Sequence, residues 1–326
     1  MEQRHFGKTG LRVSALGFGC GAVGGLMTKG EPADQQRAVA HAIDSGITYF
    51  DTAAMYGNGT SEQNLGRVLR ELNGWGRVAV GTKLRLRGED LKDIRAGVRA
   101  SVEASLSRLN HESVDLIQLH NRLGAQTSAD GDTLGPDAFE AVVAAMRELE
   151  IEGKVGHVGI TGLGETASVR HAIDTNKIDS VQSYYNAINP SAGFGGAHGG
   201  SQDFGGLIDL AEGRAMGVIA IRVMAAGAMA GAGPRPPLAG GAGPAIGGSD
   251  FQSDAQRAAE LDALARELGL ESALELSLRF VLANNGVSTA LVGYSDFGQL
   301  TDALRWAERG PLSPDAVDRV VANARH

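Results

Sequence analysis

Short apolar runs alternate with longer amphipathic stretches along most of the chain. The short runs are rich in β-branched and aliphatic residues, which is typical of buried strands. The longer stretches repeat apolar residues every three or four positions, and several end in glycine, as helices do. The eight predicted strands are 14–18, 47–50, 77–82, 113–119, 154–160, 180–185, 217–221 and 288–292. The clearest predicted helices are 33–46, 90–110, 135–153, 166–174 and 254–269.

This order of elements predicts an α/β fold, for which two arrangements are open. Eight strands with helices between them fit a closed (β/α)8 TIM barrel. An open doubly wound sheet that binds a dinucleotide would carry a glycine fingerprint after an early strand, and GFGCGAVGG (17–25) matches it only loosely. We therefore expect one barrel over residues 1–326. The stretch 4–13 predicts an N-terminal β-hairpin that closes the bottom of that barrel.

Composition and charge exclude several kinds of partner. With 43% hydrophobic and 21% charged residues, the chain has an ordinary globular composition. The net charge is −8 and no block of like charge occurs, so nucleic acid and anionic membranes are poor partners. Nothing approaches the ~18 apolar residues of a membrane span, and the start lacks a signal-peptide pattern. We expect a soluble cytoplasmic protein, and the oligomeric state stays open.

Glycine is unusually frequent. The 47 glycines are about twice the ~7% average share, and many lie in 191–200 and 232–248. Because the strand and helix pattern is regular elsewhere, these stretches are expected to be long loops rather than linkers between domains. The lone Cys20 excludes an internal disulfide and is expected to be a packing residue.

Polar residues stand at the predicted carboxyl ends of successive strands, where barrels build their active sites. Asp51, Lys83 and His120 end the second, third and fourth strands, and Tyr56 follows in the loop after Asp51. Adjacent parallel strands lie ~4.8 Å apart, so these side chains can converge on one mouth. A buried carboxylate needs a cation, which Lys83 can supply. A cation beside Tyr56 would lower its pKa, which makes this residue a candidate general acid or base, and His120 can orient a carbonyl.

Six motifs, in the correct order, resemble those of the aldo-keto reductase superfamily over nearly the whole chain. The resemblance implies a (β/α)8 barrel with extra C-terminal helices and a nicotinamide cofactor bound without a Rossmann domain. It also implies a catalytic tetrad of Asp51, Tyr56, Lys83 and His120. The implied reaction is reversible hydride transfer between NAD(P)(H) and an aldehyde, ketone or sugar, with Tyr56 as general acid or base. The motifs are GKTGLRVSALGFG (7–19), GITYFDTAAMYG (46–57), VGTK (80–83), VDLIQLH (114–120), GKVGHVGIT (153–161) and VQSYYN (181–186).

The resemblance carries the cofactor-binding residues over less completely. Thr161 and Gly162 stand where the family has a Ser-Asn pair for the carboxamide, so the hydroxyl is kept and the amide is lost. Ile221 replaces the aromatic ring that usually stacks on the nicotinamide, and Arg222 is expected either at the pyrophosphate or in a salt bridge at the rim. The expected cofactor residues are Gly19, Thr161, Gly162, Gln182, Ile221, Arg222, Gly293, Ser295 and Gln299.

The turn after the eighth strand (291–304) bears on the choice of cofactor. Relatives that prefer NADPH place Lys or Arg here to meet the 2′-phosphate. This chain offers none in register, and it has Ala303 where an asparagine is common. Charge-assisted contacts are the strong way to hold a phosphate. The cofactor is therefore expected to be NAD or NADP, with NAD or dual use slightly favoured.

The loops predict a small-molecule carbonyl or sugar as substrate. The polar stretches 121–135, with Asn121 and Arg122, and 187–206, with His198 and Gln202, are candidate pocket walls. With the weakened 2′-phosphate site, they favour a sugar 1-dehydrogenase-like role over a hydrophobic-ketone reductase.

Three further expectations concern a loop, metals and a different class of function. The loop 231–250 is expected either to fold over the cofactor or to be flexible. No zinc-like histidine spacing occurs, so no metal site is expected. The alternative to an enzyme is a cofactor-binding regulatory or redox-sensing subunit with little turnover, because some members of the superfamily regulate potassium channels.

Overall fold

Eight parallel strands close into a barrel in the computed structural model, which describes residues 1–199, 201–241 and 250–325. Each predicted strand is present with boundaries within two residues, and the predicted α/β barrel is confirmed. Neighbours along the barrel follow chain order, and the last strand pairs with the first. The barrel strands are β3 (Leu16–Gly19), β4 (Tyr49–Asp51), β5 (Ala79–Leu84), β6 (Val114–Leu119), β9 (Val155–Thr161), β10 (Ser180–Tyr184), β11 (Gly217–Ile221) and β12 (Thr289–Gly293). Two short strands, β7 (Arg122–Leu123) and β8 (Thr133–Leu134), pair with each other in the loop after β6.

The expected hairpin precedes the barrel and seals its lower end. Strands β1 (Gln3–His5) and β2 (Arg12–Ser14) pair antiparallel around a short 3-10 turn. Phe6, at the start of this turn, is fully buried and stacks on Tyr49 at a ring-centroid distance of 6.0 Å. Since Tyr49 begins β4, the hairpin covers the amino ends of the strands and leaves the carboxyl ends free for a site.

Eleven helices occur in the described part of the chain, most of them packed outside the barrel. Predicted helix 90–110 begins later than expected, at Ile94, because the Asp93 side chain caps the helix by accepting from the Ala96 amide. The helices are α1 (Leu26–Lys29), α2 (Pro32–Asp44), α3 (Thr60–Glu71), α4 (Ile94–Leu109), α5 (Pro136–Ile151), α6 (Thr166–Asp174), α7 (Leu207–Gly213), α8 (Phe251–Glu267), α9 (Ala273–Leu282), α10 (Phe297–Glu308) and α11 (Pro314–Asn323). The extra C-terminal helices are thus present, with α11 following the helix after the last barrel strand.

One segment of the long glycine-rich loop lies across the carboxyl end of the barrel. We call residues 231–241 the strap; the rest of that predicted loop, 242–249, lies outside the described residues. Gly240 donates its amide to the carbonyls of Ala22 (3.0 Å) and Val23 (3.2 Å) in the loop after β3. A Cβ at Gly25 would overlap the Leu238 carbonyl, so glycine is needed where the two loops meet. The strap therefore bridges β11 and β3 over the barrel mouth.

The other glycine-rich stretch, 191–200, is a loop without helix or strand over its described residues, as expected; Gly200 lies outside them. Its start, Ser191 and Ala192, is buried, whereas Gly195 and Gly196 are exposed. No helix in the ranges 1–199, 201–241 and 250–325 has the length and apolar character needed to cross a membrane.

Candidate active site

Asp51 and Lys83 form an ion pair inside the carboxyl end of the barrel. Both side chains are about 1% exposed or less, and Lys83 Nζ binds Asp51 Oδ1 directly. Lys83 also donates to the Thr52 carbonyl at 2.8 Å. Burial lowers the pKa of Lys83, but Asp51 and Tyr56 raise it more, so the net shift is upward. Lys83 is therefore a permanent cation at the base of the mouth.

The second oxygen of Asp51 accepts three further hydrogen bonds. The donors are the Tyr49 hydroxyl (3.1 Å), Gln118 Nε2 (3.1 Å) and Gln182 Nε2 (2.7 Å). A buried carboxylate is tolerated only when its charge and lone pairs are satisfied, and this one is bound on both oxygens. Tyr49 and Gln118 were not predicted from the sequence to belong to this site. The signal was available, because they lie two residues from Asp51 and His120 and so face the same side of their strands.

Glycines make room for this polar layer. A Cβ at Gly81 would overlap the Tyr49 hydroxyl, and a Cβ at Gly159 would lie 3.4 Å from Gln118 and overlap Ser180. Both glycines belong to inward-facing strand positions, where a larger side chain would displace the donors to Asp51. Gly81 of the motif VGTK and Gly159 of the motif GKVGHVGIT thus shape the interior of the barrel.

Tyr56 lies directly above the ion pair. It is half-buried in the turn between β4 and α3, and Lys83 Nζ lies 4.8 Å from its ring centroid. Burial raises the pKa of Tyr56, while Lys83, through its charge and a side-chain hydrogen bond, lowers it. The net shift is upward. The expected lowering by Lys83 is real, but burial outweighs it, so the hydroxyl stays protonated at neutral pH.

His120 lies beside Tyr56 and is the fourth residue of the site. Its ring meets the Tyr56 ring edge-on, with centroids 6.0 Å apart and an interplanar angle of 87°. Burial, assisted by the positive charges of Lys83 and Arg85, lowers the pKa of His120 to about 3. A neutral imidazole carries one N–H, so His120 can donate a hydrogen bond without supplying a charge.

A cavity of about 430 Å³ opens above these residues and runs under the strap. Tyr56, His120 and Asp51 line one end, and Ser295, Asp302 and Trp306 line the other. Its volume falls within the range of small-ligand and cofactor sites.

Seven of the nine expected cofactor residues line this cavity. The loop 21–24, which consists of two glycines and two apolar residues, lines it as well. Gly19 and Gly162 are not among the described residues that line the cavity. Gly162 instead lies against the neighbouring strand, where its amide donates to the Gln182 carbonyl at 2.7 Å. The seven that line it are Thr161, Gln182, Ile221, Arg222, Gly293, Ser295 and Gln299.

Several of these side chains also bind the protein itself. Thr161 donates its hydroxyl to the Leu119 carbonyl at 3.0 Å, so that proton is not free for a ligand. Ser295 donates to the Gly24 carbonyl (2.6 Å), and the Gln299 side-chain oxygen accepts from the Ser295 amide (2.8 Å). The Gln299 amide nitrogen and the lone pairs of Thr161 and Ser295 remain for a bound molecule.

Two guanidinium groups line the cavity, and within the described ranges neither is ion-paired with a carboxylate. Arg222 follows β11, and its Cζ lies 5.9 Å from the centroid of the Tyr184 ring. Arg235, on the strap, donates to the carbonyls of Gly240 and Ala226, each at 3.1 Å, and its Nη1 is buried without a partner. Arg235 was not predicted to be a cofactor residue, because no local sequence pattern indicates where the side chain of a loop residue will lie.

The expected substrate walls lie elsewhere. Asn121 is buried and donates to the Leu86 and Gly131 carbonyls, so it braces the loop after β6. Gln202 donates to the Gly164 carbonyl and the Thr166 hydroxyl. Neither residue lines the main cavity, and His198, half-buried, does not line it either.

Two other groups of reactive side chains have structural explanations. Glu150, His157 and Asp179 lie close enough together to share a metal ion, but Arg147 ion-pairs with both carboxylates and fills the cluster. Cys20 is 1% exposed, and burial raises the pKa of its thiol, so it is a packing residue.

Comparison with known proteins supplies the family. The sequence profile of the Aldo/keto reductase family matches residues 15–324. The chain belongs to the aldo/keto reductase family. This confirms the resemblance drawn from the six motifs, and with it the class of oxidoreductase activity.

Individual relatives are more distant. L-galactose dehydrogenase from Arabidopsis thaliana is 29% identical over 310 residues, which are 93% of this chain and 86% of that protein. Among solved structures, aldo-keto reductase AKR11C1 from Bacillus halodurans (holo form) aligns with a TM-score of 0.74 at 23% identity, covering 99% of this chain and 96% of that one. An aldo-keto reductase from Klebsiella pneumoniae in complex with NADPH gives a TM-score of 0.70 at 20% identity, covering 100% and 96%. At these identities, the solved structures support the fold alone.

The lowered pKa of His120 predicts a specific acid sensitivity. Its pKa is about 3 in the folded protein against about 6.5 unfolded, so the unfolded chain binds more protons between those values and stability falls as the pH falls through that window. The free energy of unfolding of the wild type should decrease when the pH is lowered from 7 to 5. In His120→Gln we expect this decrease to be smaller by about 1–2 kcal/mol, because the titrating group is absent. Denaturant unfolding at both pH values measures this. Equal losses would contradict the neutral, buried state of His120.

Proposed function

We propose that this chain catalyses reversible hydride transfer between a nicotinamide dinucleotide and a carbonyl compound or its alcohol. The observation that carries the proposal is the convergence of Asp51, Lys83, Tyr56 and His120 at one end of the cavity of about 430 Å³. All four come from strand ends or the loops after them, where barrel enzymes hold their catalytic groups.

Tyr56 moves the proton in this proposal. In reduction, its hydroxyl donates to the carbonyl oxygen as negative charge develops there. The resulting phenolate is stabilised by Lys83, whose charge and hydrogen bond favour that form. Asp51 holds Lys83 in place and keeps it charged. In oxidation, the same phenolate would accept the proton of the alcohol.

His120 positions the carbonyl. Because its pKa is lowered to about 3, it remains neutral and is not a competing proton source at neutral pH. Its N–H can donate a hydrogen bond to the same oxygen that receives the proton from Tyr56, in the manner of an oxyanion-stabilising donor. Two groups of different acidity thus share one oxygen.

The remaining residues of the cavity support a bound dinucleotide. When bound, the nicotinamide cofactor supplies or accepts the hydride. Gln182 would meet the carboxamide end, since it lines the cavity next to Asp51. Arg235 offers its unpartnered Nη1 to a phosphate from the strap. Ser295 and Gln299 lie at the far end, in the turn after β12.

We further propose that the cofactor is NAD, or that both dinucleotides are used. The turn 293–303 carries no Lys or Arg to meet a 2′-phosphate, and charge-assisted contacts are the strong way to hold one. The Asp302 carboxylate lies on the wall at the far end of the cavity, where Arg305 pairs with it at 2.8 Å. A carboxylate in this position can accept a hydrogen bond from a free ribose hydroxyl. The name of the Klebsiella relative records NADPH for that protein.

For the substrate, we propose an aldehyde or the reducing end of a sugar. The name of the Arabidopsis relative, L-galactose dehydrogenase, supports the sugar class. Leu163 and Met224 add apolar surface to the cavity, while Tyr184 and Arg222 add polar groups. This mixture accommodates a small molecule with one apolar and one polar side.

Replacing Tyr56 with Phe tests the catalytic proposal. We expect turnover of an aldehyde panel to fall by about 1000-fold or more, because the proton donor is lost, while the dinucleotide still binds. The matched control is Tyr185→Phe, which removes a buried hydroxyl outside the cavity, where the ring packs on Phe280. Steady-state kinetics and cofactor fluorescence measure the two effects. Binding without turnover in the wild type would instead support a sensor subunit.

Parallel fluorescence titrations with NADH and NADPH test the cofactor proposal. We expect NADH to bind as tightly as NADPH or more tightly. Arg235→Gln should weaken both by about tenfold, because one charge-assisted phosphate contact is lost. Tighter binding of NADPH would contradict the preference for NAD. A loss confined to NADPH would mean that Arg235 meets the 2′-phosphate.

A further inference from the structure

Arg222 has an unusual backbone that directs its side chain into the cavity. Ile221, the last residue of β11, faces the cavity, so an extended residue 222 would point away from it. Arg222 instead has φ 59°, in the left-handed region that non-glycine residues rarely adopt. This turn returns the side chain to the same side as Ile221.

Hydrogen bonds to its carbonyl oxygen hold the strained backbone of Arg222 in place. Asn186, which is 5% exposed, donates to the Arg222 carbonyl at 2.9 Å, and the Ala225 amide donates to the same oxygen at 2.7 Å. The Asn186 side-chain oxygen is itself fixed, since it accepts from the amides of Ile188 and Asn189. Strain that its surroundings enforce in this way is common at ligand-binding sites.

The guanidinium group of Arg222 is positioned by a neighbouring aromatic ring. The Cζ of Arg222 lies over the Tyr184 ring, 5.9 Å from its centroid, and that ring in turn stacks on Phe204 with centroids 5.6 Å apart. Arg222 also lies close enough to Tyr56 to lower the pKa of its hydroxyl. The positive charge therefore faces the reacting end of the cavity.

This charge lacks a carboxylate partner in the described part of the chain. The other arginine near the reacting group, Arg85, is ion-paired with Asp132, and the Asp51 carboxylate is taken by Lys83. A protein with a net charge of −8 thus keeps an uncompensated cation beside its candidate proton donor. A guanidinium presents a planar fork of donors that matches a carboxylate or a phosphate.

We propose that Arg222, oriented by Tyr184, binds an anionic oxygen group of the substrate, so that the preferred substrates are carbonyl compounds that bear a carboxylate or a phosphate. This rests on the proposed oxidoreductase function and narrows its substrate class. From the sequence, Arg222 was expected either in a salt bridge at the rim or at the cofactor pyrophosphate. Arg235 offers that contact from the strap, which leaves Arg222 for the substrate.

The test compares matched pairs of neutral and charged aldehydes. The pairs are butanal against 4-oxobutanoate for the carboxylate, and glyceraldehyde against glyceraldehyde 3-phosphate for the phosphate. We expect the wild type to favour the charged member of at least one pair, and that pair identifies the group. In Arg222→Gln, the ratio of kcat/KM for the charged to the neutral member should fall about 30-fold. Arg214→Gln, which removes an exposed arginine paired with Asp174, should leave the ratio unchanged.

Two further measurements separate the alternatives. Arg222→Lys keeps the charge but not the fork, and Tyr184→Phe keeps the ring but not the hydroxyl, so each should lower the ratio less than Arg222→Gln does. If Arg222→Gln does not fold, the ratios measured for Arg222→Lys and Tyr184→Phe test the proposal in its place. A weaker affinity of Arg222→Gln for NADH with an unchanged ratio would overturn the proposal and place Arg222 at the pyrophosphate. Turnover without any preference for charge would overturn it and leave the oxidoreductase function intact, whereas no turnover of any aldehyde would overturn both.

Discussion

The buried ion pair between Asp51 and Lys83 is the interaction on which the rest of the site depends. A carboxylate and an ammonium inside a barrel are each costly to remove from water, and removing one would leave the other uncompensated. The chain meets this cost with additional donors: Tyr49, Gln118 and Gln182 all bind the second Asp51 oxygen. These three residues come from three different strands, so the barrel has to close before the pair is fully satisfied. The fold and the electrostatics of the site are therefore coupled.

From this pair, the neighbouring groups acquire different roles. The positive charge of Lys83 favours the phenolate of Tyr56 and opposes the effect of burial on that hydroxyl. The same charge disfavours a protonated His120, where it adds to the effect of burial. One cation thus lowers the pKa of both groups above it: it makes the Tyr56 proton easier to give up and keeps the imidazole neutral. Burial separates the two groups, since it raises the pKa of Tyr56 and lowers that of His120. This separation is the pattern by which titratable groups of one site divide acid–base chemistry.

Much of the site could be predicted from the sequence, because successive residues of a strand face opposite sides of the sheet. Asp51, Lys83 and His120 stand at strand ends, and the parallel order of elements brings strand ends to one rim. The same alternation would have identified Tyr49 and Gln118, which lie deeper on the inward face. The roles of loop residues could not be predicted in this way. Asn121 looked like a pocket wall and instead binds loop carbonyls, whereas Arg235 reaches the cavity because the strap closes on Ala22 and Val23. The net pKa shift of Tyr56 was also out of reach, since it depends on how deeply the ring is buried.

The decisive measurement is the pH dependence of alcohol oxidation in a single turnover, because it reports which group accepts the proton. Oxidation requires Tyr56 to accept a proton and therefore to be ionised, and its pKa is raised above the usual value of 10. Since His120 is neutral throughout, the account predicts that the logarithm of the rate rises by about one for each pH unit from pH 6 to pH 9, without levelling. A rate that levels off above about pH 7 would report a group that titrates near 6.5. That result would make His120 the proton acceptor and contradict the assignment of Tyr56.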